Sequence, residues 1–178
     1  MRRLLSLIAI SLASLTWLAA LGCSKPKDAP KNEPAKAASI TFGPRYAYIQ
    51  VNDQRAINQL GPGWHGVEQE TWRWMAHEAT ASLKNPGAFP EYFEVRLTLP
   101  PGHIAAVGGP VTFTVLLNDK VLGEETYAKD GAYVFQKVVQ SLPPDPVAVT
   151  FRVNKFKPPA PGGDVRELGL VVTAFGFK

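Results

Sequence analysis

The chain has 178 residues, 46% of them apolar and 19% charged, with one cysteine, Cys23, and a formal charge of +4; a lone cysteine excludes an intrachain disulfide framework. Arg2, Arg3, Lys25, Lys27, Lys31 and Lys36, against Asp28 and Glu33, all precede residue 41, which leaves 13 basic and 13 acidic residues beyond it and no net charge there. Without a basic excess in its main part the chain does not point to phosphate-driven binding, and no nucleic-acid partner is expected.

Met1-Arg2-Arg3 supplies a positive start, Leu4 to Leu21 is apolar with scattered Ser and Thr, and small residues close the run. That layout is an export signal over residues 1–22. A membrane-spanning helix is the competing reading, because about 20 apolar residues suffice, but this run is slightly short and ends in small residues. Ala20-Leu21-Gly22-Cys23 resembles the lipobox of bacterial lipoproteins. The resemblance implies that Cys23 is acylated with palmitate-type chains and becomes the mature N-terminus. Each buried methylene contributes about 0.8 kcal/mol, so two or more chains anchor stably. Ser24, rather than an Asp, resembles the outer-membrane sorting pattern. The expected product is an exported, membrane-anchored lipoprotein, on the outer membrane facing the periplasm where the cell has two membranes.

Ser24 to Ser39 carries three prolines and no large apolar side chain. It cannot bury enough surface to offset the entropy of ordering. Residues 23–39 are therefore expected to be an extended tether, with its lysines near anionic head groups.

From about Ile40 to Lys178 the texture changes to short runs of Val, Phe, Tyr, Leu and Thr bounded by Gly, Pro, Asn or Asp. Such spacing predicts an all-β sandwich or barrel. Strands are expected over Tyr46 to Val51, Thr71 to Met75, Ala79 to Leu83, Phe93 to Leu99, Val111 to Leu117, Val121 to Thr126, Ala132 to Val138, Val147 to Asn154 and Leu168 to Phe177. In two of them the alternation is clean: Phe93, Val95, Leu97 and Leu99 oppose Glu94, Arg96 and Thr98, and Val147, Val149, Phe151 and Val153 oppose Ala148, Thr150, Arg152 and Asn154. Asn118-Asp119 predicts a tight hairpin turn, because both residues tolerate positive φ. Only Val134 to Leu142 is apolar enough to compete as a helix. Residues 40–178 form one expected domain, long enough to bury roughly two thirds of its unfolded-chain surface without staples.

The densest stretch is Gly63-Trp64-His65-Gly66-Val67-Glu68-Gln69-Glu70-Thr71-Trp72-Arg73-Trp74-Met75, which holds three of the four tryptophans. In a strand Trp72 and Trp74 share one face, with Arg73 and Met75 on the other. A buried Trp removes about 150–250 Å² from water, about 4 to 6 kcal/mol at most, so Trp72 and Trp74 are expected to be core. Trp64, between glycines in a Gly-Pro-Gly-Trp-His-Gly loop, is the better candidate for exposure.

Metal and enzyme chemistry find little support. His77-Glu78 begins like a zinc-protease motif, but Ala81 stands where the second histidine belongs. His65 with Glu68, and His103, form no dense ligand set. There is no Gly-x-Ser-x-Gly turn and no phosphate-cradling loop before a helix. Neither catalysis, nor a metal, nor a cofactor is expected.

Gly63-Trp64 with Glu68, Trp72-Arg73-Trp74-Met75 with Ala79 and Leu83, Val115 to Gly123, Tyr133-Val134-Phe135 and Asp164 to Val172 together resemble the jelly-roll, galactose-binding-like module appended to bacterial glycosyltransferases and other envelope proteins. The resemblance spans most of Gly63 to Lys178. It implies a noncatalytic, two-sheet antiparallel β-sandwich of jelly-roll type in a glycan-rich setting, although no catalytic domain accompanies it here. The leading expectation is carbohydrate binding through Trp64, His65, Glu68, Arg73 and Arg166, an aromatic stacking on a sugar while charged groups take its hydroxyls. The alternative is a structural or protein-interaction lipoprotein, in which the same residues only clasp the domain. Partly buried charges need partners, so Glu68 should meet Arg166, or failing that Arg73 should meet Glu167.

Overall fold

Alternating runs fold as strands when one face can be buried against a second layer. In the computed structural model, which describes residues 46–87, 90, 92–141 and 145–178, ten strands do so: β1 (Tyr48–Gln50), β2 (Trp64–Glu68), β3 (Trp72–Met75), β4 (Glu78–Leu83), β5 (Tyr92–Leu99), β6 (Val111–Leu117), β7 (Lys120–Tyr127), β8 (Gly131–Val138), β9 (Val147–Val153) and β10 (Leu170–Phe177). A 3-10 turn over Gln54–Gln59 and a single helical turn α1 (His103–Ala106) complete the elements. The expected signal peptide, Cys23 and the tether lie outside the described residues.

The pairings are antiparallel throughout. One sheet runs β2-β3-β10-β5-β8, and the other β4-β9-β6-β7. Within them, β3-β10-β5-β8 against β4-β9-β6-β7 is the eight-strand order of a jelly roll. β10 is the hub: β5 takes one edge, and the other is shared between β3, at Leu170 to Val172, and β1, at Ala174 to Gly176.

Between the sheets lie the inward halves of the alternating strands. Phe93, Val95, Leu97 and Leu99 of β5, and Val147, Val149, Phe151 and Val153 of β9, are all buried. Each contributes about 1.5–3 kcal/mol of transfer free energy. Val134 alternates outward and Phe135 inward, and the part of that stretch up to Val138 belongs to β8. At the β6–β7 turn Asn118 and Asp119 have φ of 46° and 65°, the primed turn their residue types permit.

Trp64 departs from its expected exposure. It opens β2, stacks on Phe175 with centroids 5.5 Å apart, and meets Phe151 edge-on at 5.6 Å. Its indole N–H donates to the Thr80 carbonyl at 2.7 Å. The preceding Gly63 makes this entry possible: its φ is +89°, and a Cβ there would lie 2.0 Å from the Glu78 carbonyl oxygen. Backbone bonds from Gly61 to Thr80 and from Thr80 to Pro62 pin the segment against β4, covering an edge that would otherwise stay open.

Candidate functional site

β3 has large side chains on both faces, and the inward choice falls on Arg73 and Met75, which are 8% and 0% exposed. Trp72 and Trp74 therefore point outward and stay partly exposed, with ring centroids 6.2 Å apart in an edge arrangement. This departs from the expectation for the run: all three tryptophans are partly buried, Trp64 packing against the core while Trp72 and Trp74 lie on the outward face of β3. The physical reason is that the Arg73 guanidinium finds carbonyl acceptors inside, donating from Nε to Val51 at 2.7 Å and from Nη1 to His65 at 2.8 Å. Burial pushes its pKa down, but the hydrogen bonds satisfy two of its donors.

Trp74 forms one wall of a cleft of about 260 Å³. Pro100, Pro101 and Gly102 of the turn after β5 form a second wall, His103 and Ala106 of α1 belong to it as well, and Leu168 and Lys157 close the remaining side. The Asp130 carboxylate holds the turn by accepting the N–H groups of Ile104 at 2.9 Å and Gly102 at 2.7 Å. Those two bonds, the one from Ile104 foremost, keep Asp130 below the usual carboxylate range despite some desolvation.

His103 is 6% exposed, and its ring lies 5.6 Å from that of Trp74. Its Nε2 is the one buried side-chain nitrogen or oxygen among the described residues without a hydrogen-bond partner. Burial pushes the imidazole below its ordinary 6.5, opposed by the Gly169 backbone and Asp130 and reinforced by the Lys157 charge. A neutral imidazole offers one donor and one acceptor. The lining therefore combines an aromatic ring, proline faces, a neutral histidine and one cation.

The opposite wall is held by the residues singled out in the sequence. Arg166 Nη1 meets Glu68 Oε1 at 2.5 Å, and the same guanidinium donates to Asp164 from Nε at 3.0 Å and from Nη2 at 2.8 Å. The first-choice pair thus forms, about 100 residues apart in sequence. The second does not: Glu167 faces His77 Nδ1 instead, and its backbone carbonyl meets His65 Nε2 at 2.6 Å. Leu168 then pairs with Lys157 through two backbone bonds of 2.8 and 2.9 Å. Of the five expected ligand residues, Trp64 and Arg73 are committed to the interior, and His65, Glu68 and Arg166 hold the strap 164–168 whose end lines the cleft.

Trp74, His103 and Lys157 are the cleft residues that sequence reasoning passed over. Trp74 lay in the singled-out run but was assigned to the core. His103 and Lys157 carried no local signal, because β3, the turn after β5, the segment after β9 and the strap meet only in the fold. Among the described residues no three His, Cys, Asp or Glu side chains are placed to hold a metal ion.

The molecule is thus an all-β, two-sheet jelly-roll sandwich with a small aromatic-walled cleft beside β3. No family model matches the sequence, and no curated protein does. Among solved structures it is similar to a family GH115 4-O-methyl-α-glucuronidase with specificity for decorated arabinogalactans, at 13% identity and a TM-score of 0.41 over 76% of this chain. The chain spans 18% of the length of that protein. A likeness at that level assigns no ligand to this chain.

Proposed function

We propose that this protein is a noncatalytic carbohydrate-binding sandwich, held at a cell envelope through an acylated Cys23, and that the Trp74–His103 cleft is its sugar site. The observation that carries the reading is one cleft lined by a partly exposed Trp74 and by His103, a buried histidine whose Nε2 lacks a hydrogen-bond partner. A sugar ring presents C–H groups to an aromatic face and hydroxyls to a hydrogen-bonding side chain, the combination that concave sites use for affinity and orientation. Hydrolysis of a glycosidic bond calls for two flanking carboxylates, and none lines the cleft. The anchor reading rests on Ala20-Leu21-Gly22-Cys23 alone.

A glycan-array screen of the chain beside its Trp74→Ala variant tests this. Saturable binding to a defined glycan that the variant loses is expected; binding unchanged in Trp74→Ala would rule out the cleft as the site. The structural alternative gains support from one observation, the commitment of Arg73, His65 and Arg166 to internal bonds. On that reading the run is a clasp, and no glycan on the array binds.

A further inference from the structure

We infer that the unit seated in the cleft is an acidic sugar, a single uronic-acid ring whose carboxylate is held by the Lys157 ammonium. This inference rests on the carbohydrate reading above and narrows it to a ligand class.

Size is the first constraint. Pockets for drug-sized ligands run to about 300–1,000 Å³, and this cleft has about 260 Å³, so it has room to seat about one ring. Charge is the second. Lys157 is the only charged side chain in the lining. Among the described residues no carboxylate lies within ion-pair distance of its ammonium. Asp164, whose carboxyl the Lys157 charge helps to hold low after Arg166, is already engaged by Arg166 through two nitrogens. The field of Lys157 also reaches His103, where it favours the neutral ring.

A neutral sugar would use Trp74 and His103 and gain nothing from the Lys157 charge. A uronate satisfies all three: ring face on Trp74, hydroxyl on His103, carboxylate on Lys157. A charge-assisted hydrogen bond is roughly twice as strong as a neutral one. Because Lys157 is exposed, the preference over an uncharged analogue should be about fivefold at low salt and should shrink as salt rises.

The experiment is calorimetric titration of the full chain with an oligosaccharide ending in glucuronic or galacturonic acid, and with its methyl ester, which keeps the ring and removes the charge. Lys157→Met retains the apolar stem, and the part of Lys157 in the fold runs through its backbone bonds to Leu168, so the variant should fold. The expected result is tighter binding of the acid than of the ester, with Lys157→Met abolishing that preference. Equal binding of acid and ester would overturn the inference while leaving the cleft a sugar site. An acid preference that survives in Lys157→Met would overturn the role of Lys157. Binding of neither would overturn the inference, and the array screen then decides the carbohydrate reading separately. Acetate at the same concentration should not displace the acid; displacement would show that the carboxylate alone is recognised and would overturn the sugar half of the proposal.

Discussion

Glu94 is 2% exposed on the outward side of β5 and keeps its charge there. Burial pushes its pKa up, but hydrogen bonds from Arg96, Tyr48 and Lys178 outweigh that and hold it at about 2, against an ordinary 4.5. A carboxyl with a depressed folded pKa contributes fully above its unfolded value and loses the contribution as pH falls through the folded one. Glu94→Gln should therefore cost on the order of 3 kcal/mol near pH 7, a deficit that shrinks as pH falls from 4.5 towards 2. Urea unfolding at several pH values checks it; a deficit independent of pH would contradict it. His103 acts in another window. Its folded pKa is lowered below 6.5, so under pH 6.5 the unfolded chain binds the proton more readily and stability falls. His103→Leu should flatten that slope, which is at most about 1.4 kcal/mol per pH unit. Trp64→Ala, which removes a ring stacked on Phe175, should cost about 3–5 kcal/mol. Trp74→Ala, at a partly exposed site, should cost far less. The run of tryptophans was visible in the sequence, but its orientation was not: Trp72, Trp74 and Met75 put apolar surface on both faces of β3, and carbonyls 8 and 22 residues from Arg73 decided which face turned inward.

At the scale of elements, the strands with clean alternation were legible because a period of two against a buried layer has few alternatives. β2 was missed for a local reason. Its turn into β3 is made by Gln69 and Glu70 at φ of 47° and 58°, residue types that do not announce a primed turn as Asn118-Asp119 does. The left-handed region costs ordinary residues roughly 1–2 kcal/mol each. Replacing Gln69-Glu70 with Asn-Gly should therefore raise stability by about 1 kcal/mol, part of the relief being offset by the added freedom of glycine in the unfolded chain. Thermal unfolding of the double variant measures it, and destabilisation would show that the turn depends on the native side chains. The strap offers a second test. Glu68 and Arg166 are 33% and 34% exposed at the side chain, so a double-mutant cycle of Glu68→Ala and Arg166→Ala should give about 1 kcal/mol of coupling and not the 3–5 kcal/mol of a buried pair. Coupling of zero would mean that the strap is held by His65, His77 and the Leu168–Lys157 backbone bonds alone.

For the whole molecule, the jelly-roll order follows from one hub strand and from connections that cross between the sheets from β3 to β6 and from β7 to β10, while β2–β3 and β6–β7 are hairpins within one sheet. Composition and turn spacing made an all-β sandwich or barrel readable; the jelly-roll type came from the resemblance of the Gly63 to Lys178 stretch. The cleft was not readable, because residues from positions 74, 100–106, 157 and 168 converge only after both sheets have packed. What the sequence offered in its place was the most concentrated run of chemistry, and much of that run supports the cleft without lining it. The proposed anchor adds a prediction of its own: Cys23→Ala should move the protein from the membrane fraction to the soluble exported fraction. Retention with an uncleaved apolar N-terminus would favour a membrane-spanning segment.

The central claim is that Trp74 and His103, and not Trp64 and the Glu68–Arg166 pair, meet the ligand. Nuclear magnetic resonance of the isotope-labelled chain during titration with the glycan selected on the array reads this directly, since each tryptophan indole N–H and each histidine ring gives its own signal. The Trp74 indole and the His103 imidazole should shift with ligand while the Trp64 indole, bonded to Thr80 inside the sandwich, stays fixed. Shifts centred on Trp64, or none at His103 and Trp74 under saturating glycan, would contradict it.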